Sequence, residues 1–153
     1  MLHRIDDRLI HGQVVVGWGR PMGVGFIALV DDTVAASEWE QELYRMGVPP
    51  EVTLHFADVS TAQREHAAWE SDPRPGILLT ADIDTMARLA TATRVTEVNL
   101  GGIHHAPGRT QRLRYVFLSP DEEQALRTLA ATGVRISAKD VPGGKPVELE
   151  DLL

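Results

Sequence analysis

Apolar, β-branched runs of strand length recur along the chain at Leu2–Ile5, Gly25–Val30, Val52–Phe56, Gly76–Leu79, Val95–Leu100, Tyr115–Leu118 and Val134–Ala138. Between them the apolar positions take helical spacing near His11–Trp18, Val34–Met46, Ser60–Glu70, Ile83–Thr91 and Pro120–Thr132. Thr33 stands before a run that carries Trp39, Leu43 and Met46 on one face. Ser119-Pro120-Asp121-Glu122 places a capping hydroxyl, a first-turn proline and two carboxylates at the positive end of the last of these helices. Gly47 and Gly133 sit where a helix closes on a left-handed residue. Strands separated by helices require right-handed crossovers, so the pattern predicts an α/β fold: one domain over residues 1–153, a mainly parallel open sheet of about seven strands, helices on both faces. Sites in such sheets form at the carboxyl ends of the strands, in the loops after Ile5, Val30, Leu79, Leu100 and Leu118.

Length adds that 153 residues support one core without disulfides or metal. Fifteen basic against 22 acidic residues leave a net charge of -7, which argues against nucleic acid or an anionic membrane as partner. The absence of cysteine removes disulfides, thiolate metal sites and thiol nucleophiles together. No apolar window is long enough to span a membrane, and Arg4, Asp6, Asp7 and Arg8 interrupt the place of a signal-peptide core, so a cytoplasmic protein is expected.

The first strand-to-helix loop, Arg4-Ile5-Asp6-Asp7-Arg8-Leu9-Ile10-His11-Gly12-Gln13-Val14, gathers two arginines, two carboxylates and a histidine, a charge density that packing does not require. A neutral imidazole is a nucleophile near neutral pH. A helix start offers free N–H groups to an anion, Gly12 brings no Cβ, and an arginine such as Arg8 forks onto phosphate oxygens while a carboxylate orients it or the ring. The alternative is a histidine that only caps its helix, with the arginines paired to Asp6 and Asp7 at the surface.

The same string resembles, almost letter for letter, the start of the enzyme IIB component of the mannose/fructose/sorbose family of the bacterial sugar phosphotransferase system. The likeness continues through Val30-Asp31-Asp32, Val34-Ala35, Pro49-Pro50, Asn99-Leu100-Gly101-Gly102-Ile103-His104-His105, Leu118-Ser119 and Asp140-Val141-Pro142. The resemblance implies a phosphotransferase component that uses no cofactor. His11 receives a phosphoryl group on Nδ1 from the phosphohistidine of a IIA protein and passes it to a sugar brought in by the membrane components IIC and IID. By the same resemblance Arg8 and Gly12 hold the phosphoryl group, and Arg4, Asp6, Asp7 and Gln13 support the loop. Two further readings stay open, a regulatory phosphohistidine protein of the same fold and, on the His11-Gly12-Gln13 triplet, a phosphomutase or phosphatase; Ile10 stands where those enzymes place an arginine.

Elsewhere, no acid occurs between Glu97 and Asp121, an interval that holds His104, His105, Arg109, Arg112 and Arg114. It reads equally as a surface for an anionic partner or as a solvated strand edge. His104 and His105 lack metal-ligand spacing, and no metal site is expected. Thr80 reads as a capping residue before Asp82, with a reach to the phosphoryl group as the alternative. His3, His55 and His66 stand without chemical company in the sequence, and Trp18 and Trp39 read as packing residues. Gly17-x-Gly19 lacks the third glycine of a dinucleotide fingerprint.

Overall fold

Alternation along the central strands sorts the interior into two layers. On β2 (Phe26–Val30), Phe26, Ala28 and Val30 join one apolar cluster, whereas Ile27 and Leu29 join a second; on β4 (Gly76–Thr80), Leu78 separates from Ile77 and Leu79 in the same way. Successive strand side chains point to opposite faces, so a strand apolar at every position must be covered on both sides. The computed structural model, which describes all 153 residues, shows how.

The larger cluster is closed by α4 (Val59–Glu70), α5 (Ile83–Ala90), α6 (Pro120–Ala131) and the short α7 (Leu149–Leu152). The smaller is closed by α1 and by α2 (Asp32–Ala35) with α3 (Glu38–Met46). Helix α1 is a π-helical segment, Gln13–Gly19, continuing as one α-turn, Arg20–Met22. The remaining strands are β1 (Leu2–Ile5), β3 (Thr53–Ala57), β5 (Glu97–Leu100), β6 (Thr110–Leu113), β7 (Val116–Leu118), β8 (Arg135–Ala138) and β9 (Val147–Glu148).

The main sheet has seven strands in the order β3-β2-β4-β1-β5-β8-β9, all parallel but β9, which pairs antiparallel with β8 at the edge. The expected α/β fold and strand number hold, with one exchange of members. Tyr115–Leu118 is no part of this sheet: Val116–Leu118 forms a separate antiparallel hairpin with β6, a strand too polar to show a period, and β9 takes the seventh place. The chain leaves β1 into α1 on one face, while β5 leads by way of the hairpin to α6 on the other, so the crevice between the ends of β1 and β5 is the switch point of the sheet.

Several local expectations change. Asp31 rather than Thr33 caps α2, accepting from the Val34 N–H at 2.9 Å. The Val34–Met46 helix is two helices, because Ser37 stops one and caps the next. Gly133 does close α6 in the left-handed region, with φ of 97°, but Gly47 keeps φ of -92°. Helix α3 turns its Tyr44 side inward, so Trp39, Leu43 and Met46 face solvent; Trp39, 72% exposed, is not a packing residue. Trp18 is one, at 5%.

Candidate functional site

Residues 6–12 join the end of β1 to α1, and the chain is forced through a tight path. The Leu9 N–H donates to the Asp6 carbonyl at 2.9 Å, and Leu9 adopts φ of 55°, a left-handed conformation costing a non-glycine residue about 1–2 kcal/mol. Its side chain is nonetheless buried in the smaller cluster, as is Ile10. Core packing on both residues thus fixes His11 just before the first turn of α1.

His11 is 15% exposed. Its Nδ1 accepts from the Gln13 N–H at 3.3 Å, which leaves the ring proton on Nε2, and Nε2 lies 3.2 Å from Asp6 Oδ1. That approach has the distance of an ion pair without the alignment of a hydrogen bond. Neither Gly12 nor Val14 gives its N–H to an acceptor, so the residues flanking Gln13 carry free donors. Gly12 itself has φ of -52° and open space where a Cβ would lie, so the backbone there does not require glycine. What the missing side chain leaves open is the approach to the N–H groups.

Behind His11 stands a buried charge pair. Asp6, 1% exposed, accepts at Oδ2 from Arg4 Nη2 at 3.2 Å and from the Gly102 N–H at 3.3 Å; Oδ1 accepts from the Arg8 N–H at 3.2 Å. Burial by itself pushes the Asp6 carboxyl up, but the contacts with His11, Arg4 and the Arg8 N–H outweigh it and hold the group below the usual carboxylate range. Arg4, fully buried, also donates from Nη1 to Asn99 Oδ1 at 2.5 Å and to the Lys139 carbonyl at 3.0 Å, and stacks under Trp18 with Cζ 4.7 Å from the ring. A Cβ at Gly101 would lie 2.4 Å from Arg4 Cζ; glycine is the residue that lets the guanidinium in. The Arg4–Asp6 pair is therefore interior, contrary to the surface pairing left open by the sequence.

The other expected residues sort by what they touch. Arg8 is exposed, with Nη2 on Gln13 Oε1 at 3.3 Å, and remains free to swing toward a ligand at His11. Gln13 reaches across to Asp140 Oδ1 at 2.7 Å, and the Trp18 indole N–H donates to the Asp140 carbonyl at 2.8 Å, so the loop after β8 pins α1. Asp7 turns the other way and holds His104, accepting from its backbone N–H at 2.7 Å and meeting its Nδ1 at 2.6 Å. Thr80 neither caps a helix nor faces His11: its hydroxyl donates to the Asp82 carbonyl at 3.1 Å, and Asp82 is the cap of α5.

The basic interval is less basic folded than it is in sequence. Arg109 makes a double bridge to Glu122 at 2.8 and 3.0 Å, and Arg112 donates to Glu123 at 2.6 Å. Helix α6 folds its first-turn acids back over the hairpin; Arg114 stays exposed, and His105 packs edge-on against Phe117. Asn99 and Asp140 were legible only as parts of family-like strings, whereas Gly101, after a strand end, already reads as a place where backbone approaches the same crevice. His3 and His66 do have company, in each other, and His55 packs against Phe26 and Trp69.

The chain as a whole is similar to a known group of proteins. The sequence model of the family described as "PTS system sorbose subfamily IIB component" matches residues 1–153. The chain is 32% identical over 153 residues to the mannose-specific EIIAB component of the phosphotransferase system of Escherichia coli, covering 99% of this chain and 47% of that protein, so it spans about half the length of such relatives. It is 30% identical to the sorbose-specific EIIB component of Klebsiella pneumoniae, covering 98% and 92%. Among solved structures, manxB from Thermoanaerobacter tengcongensis superposes with a TM-score of 0.86 at 31% identity, over 99% of this chain and 92% of that one. The IIBSor domain of the sorbose permease from Klebsiella pneumoniae gives 0.87 at 27%, over 98% and 93%. With a match over every residue and a relative aligned along nearly its whole length, the chain belongs to the sorbose subfamily of phosphotransferase-system IIB components.

Proposed function

We propose that the chain is a phosphocarrier of a sugar phosphotransferase system, with His11 as the residue that carries the phosphoryl group. The observation that supports this most directly is the setting of one ring: Nδ1 accepts from the Gln13 N–H at the start of α1, the flanking N–H groups of Gly12 and Val14 have no acceptor, and Nε2 is backed by ionised Asp6. In the first step the N–P bond of a phosphorylated IIA histidine breaks as Nδ1 of His11 bonds to phosphorus. The ring proton stays on Nε2, where Asp6 offsets the positive charge that the ring gains. In the second step a sugar hydroxyl oxygen attacks phosphorus, the Nδ1–P bond breaks, and the hydroxyl proton leaves to solvent. Transfer of this kind needs positioning and charge stabilisation and little bond-making by the protein.

Arg8 is the free cation for the phosphoryl oxygens, and the N–H groups of Gly12, Gln13 and Val14 complete their cradle. Arg4, Asp6 and Gln13 act from behind by holding the loop, and Asp7 does so through His104. The partners are a IIA phosphohistidine protein on the donor side and a IIC/IID permease with its sugar on the acceptor side, which fits a cytoplasmic domain. No helix is long and apolar enough to cross a membrane.

The test is incubation with phosphoenolpyruvate, the general phosphotransferase proteins and a IIA protein. The expected product is one acid-labile, base-stable phosphate on His11, absent from His11→Ala. Equal labelling of the variant would overturn the assignment. Labelled protein that never discharges to a sugar in membranes containing IIC and IID would point to a regulatory role.

A further inference from the structure

The strand that delivers Arg4 to the site delivers its neighbour His3 to the other face of the sheet, under α4. His3 and His66 are both buried, and their Nε2 atoms are 2.8 Å apart. Glu70, one turn beyond His66 on α4, points Oε1 at the same place, 3.6 Å from His3 Nε2 and 3.8 Å from His66 Nε2. Both distances are too long for a hydrogen bond, so the carboxylate faces two imidazoles and bonds neither.

A triangle with edges of 2.8, 3.6 and 3.8 Å has a centre about 2.0 Å from each corner. That is the length of a zinc–imidazole or zinc–carboxylate bond. We propose that His3, His66 and Glu70 bind a zinc ion, with the two Nε2 atoms and Oε1 as protein ligands and a water in the fourth position.

Two imidazoles and one carboxylate are a donor set of the right softness for zinc, and three protein ligands leave the open position that a water fills. Glu70 is 37% exposed and borders a cleft of about 490 Å3, lined also by Gln63, Ala92 and Arg94, through which an ion and its water can enter. One of the two Nε2 atoms carries the proton shared across their 2.8 Å contact, and zinc displaces it. The i,i+4 spacing of His66 and Glu70 on one helix face and the placement of His3 by strand alternation need no rearrangement of backbone; a shift of a few tenths of an ångström between the rings suffices.

The experiment uses the untagged, chelator-treated full chain titrated with zinc chloride by calorimetry, with thermal unfolding followed alongside. The expected result is one zinc per chain and a rise in Tm with zinc. Glu70→Gln, at a partly exposed position that the fold tolerates, is expected to weaken binding by at least about tenfold, the loss that even an outer-shell change produces. His66→Asn removes a direct ligand and will act in the same direction. His104→Ala, which disrupts the separate Asp7–His104 contact, will bind as the parent does. Absence of zinc binding by the parent chain, or equal affinity in Glu70→Gln and parent, would overturn the proposal.

Discussion

Asp6 Oδ1 stands 3.2 Å from His11 Nε2 while the other oxygen of the same carboxylate is held by Arg4, so one buried acid links the His11 ring to a guanidinium sealed in the sheet. Asp6→Asn leaves that arginine without a carboxylate in a fully buried place. Breaking one side of a buried pair costs about 3–5 kcal/mol. Denaturant unfolding of the variant will show a loss of that order, and labelling of His11 will slow because the ring loses the charge behind Nε2.

The same carboxyl sets an acid limit. Its pKa is depressed in the folded chain by His11, Arg4 and the Arg8 N–H against the opposing influence of burial, so its ionised form contributes stability above the ordinary aspartate value, and that contribution is lost as pH falls through the lower folded value. Glu122 is shifted the same way, with burial outweighed by Arg109 and Ser119. Tm measured against pH will therefore be flat near neutrality and fall from about pH 4 downward. In Asp6→Asn the fall will be shallower, because one linked proton is gone.

Arg8 separates fold from chemistry. Its side chain is exposed and makes its one hydrogen bond to Gln13, so Arg8→Ala will change stability by less than about 0.5 kcal/mol. Loss of a charged donor to the moving phosphoryl group costs about 10²-fold in rate. Single-turnover labelling from a phosphorylated IIA protein measures it; an unchanged rate would remove Arg8 from the site.

Two glycines make opposite predictions. Gly101→Ala drives a Cβ into the Arg4 guanidinium and will destabilise the chain by about 1–3 kcal/mol. Gly12→Ala meets open space at a helical φ, so stability will hold or rise by about 0.4–1 kcal/mol, while phosphoryl transfer slows because the methyl group crowds the free N–H groups. Thermal unfolding and labelling of the two variants check both halves.

What was legible in the sequence was set by locally repeated signals. Buried parallel strands announce themselves by runs such as Phe26–Val30 and Gly76–Thr80, and Ser119-Pro120 marks a helix start because the cap is chemical and local; the structure shows it as a full capping box with Glu122. Trp39 misled because helical spacing defines a stripe without saying which side of the helix is inward, and Tyr44 with Gln41 wins that contest by packing and by bonding the end of α2. The hairpin strand Thr110–Leu113 carries Gln111 and Arg112 outward and has no apolar period. The loop motif gave His11 its neighbours up to Gln13, but the contacts with Asn99, Lys139 and Asp140 span about 90 to 135 residues, a separation that no local pattern encodes. The His3–His66 pairing was hidden for the same reason.

The guanidinium clasp described above also orders events during synthesis. The groups that hold the platform of His11, the Lys139 carbonyl and the Asp140 side chain, leave the ribosome almost 130 residues after it. At about 5–20 residues per second that interval lasts roughly 6–25 s. Through it the nascent chain has His11 but neither the pinned α1 nor the full set of Arg4 contacts beneath it. A chain halted before Lys139 will therefore take no label at His11.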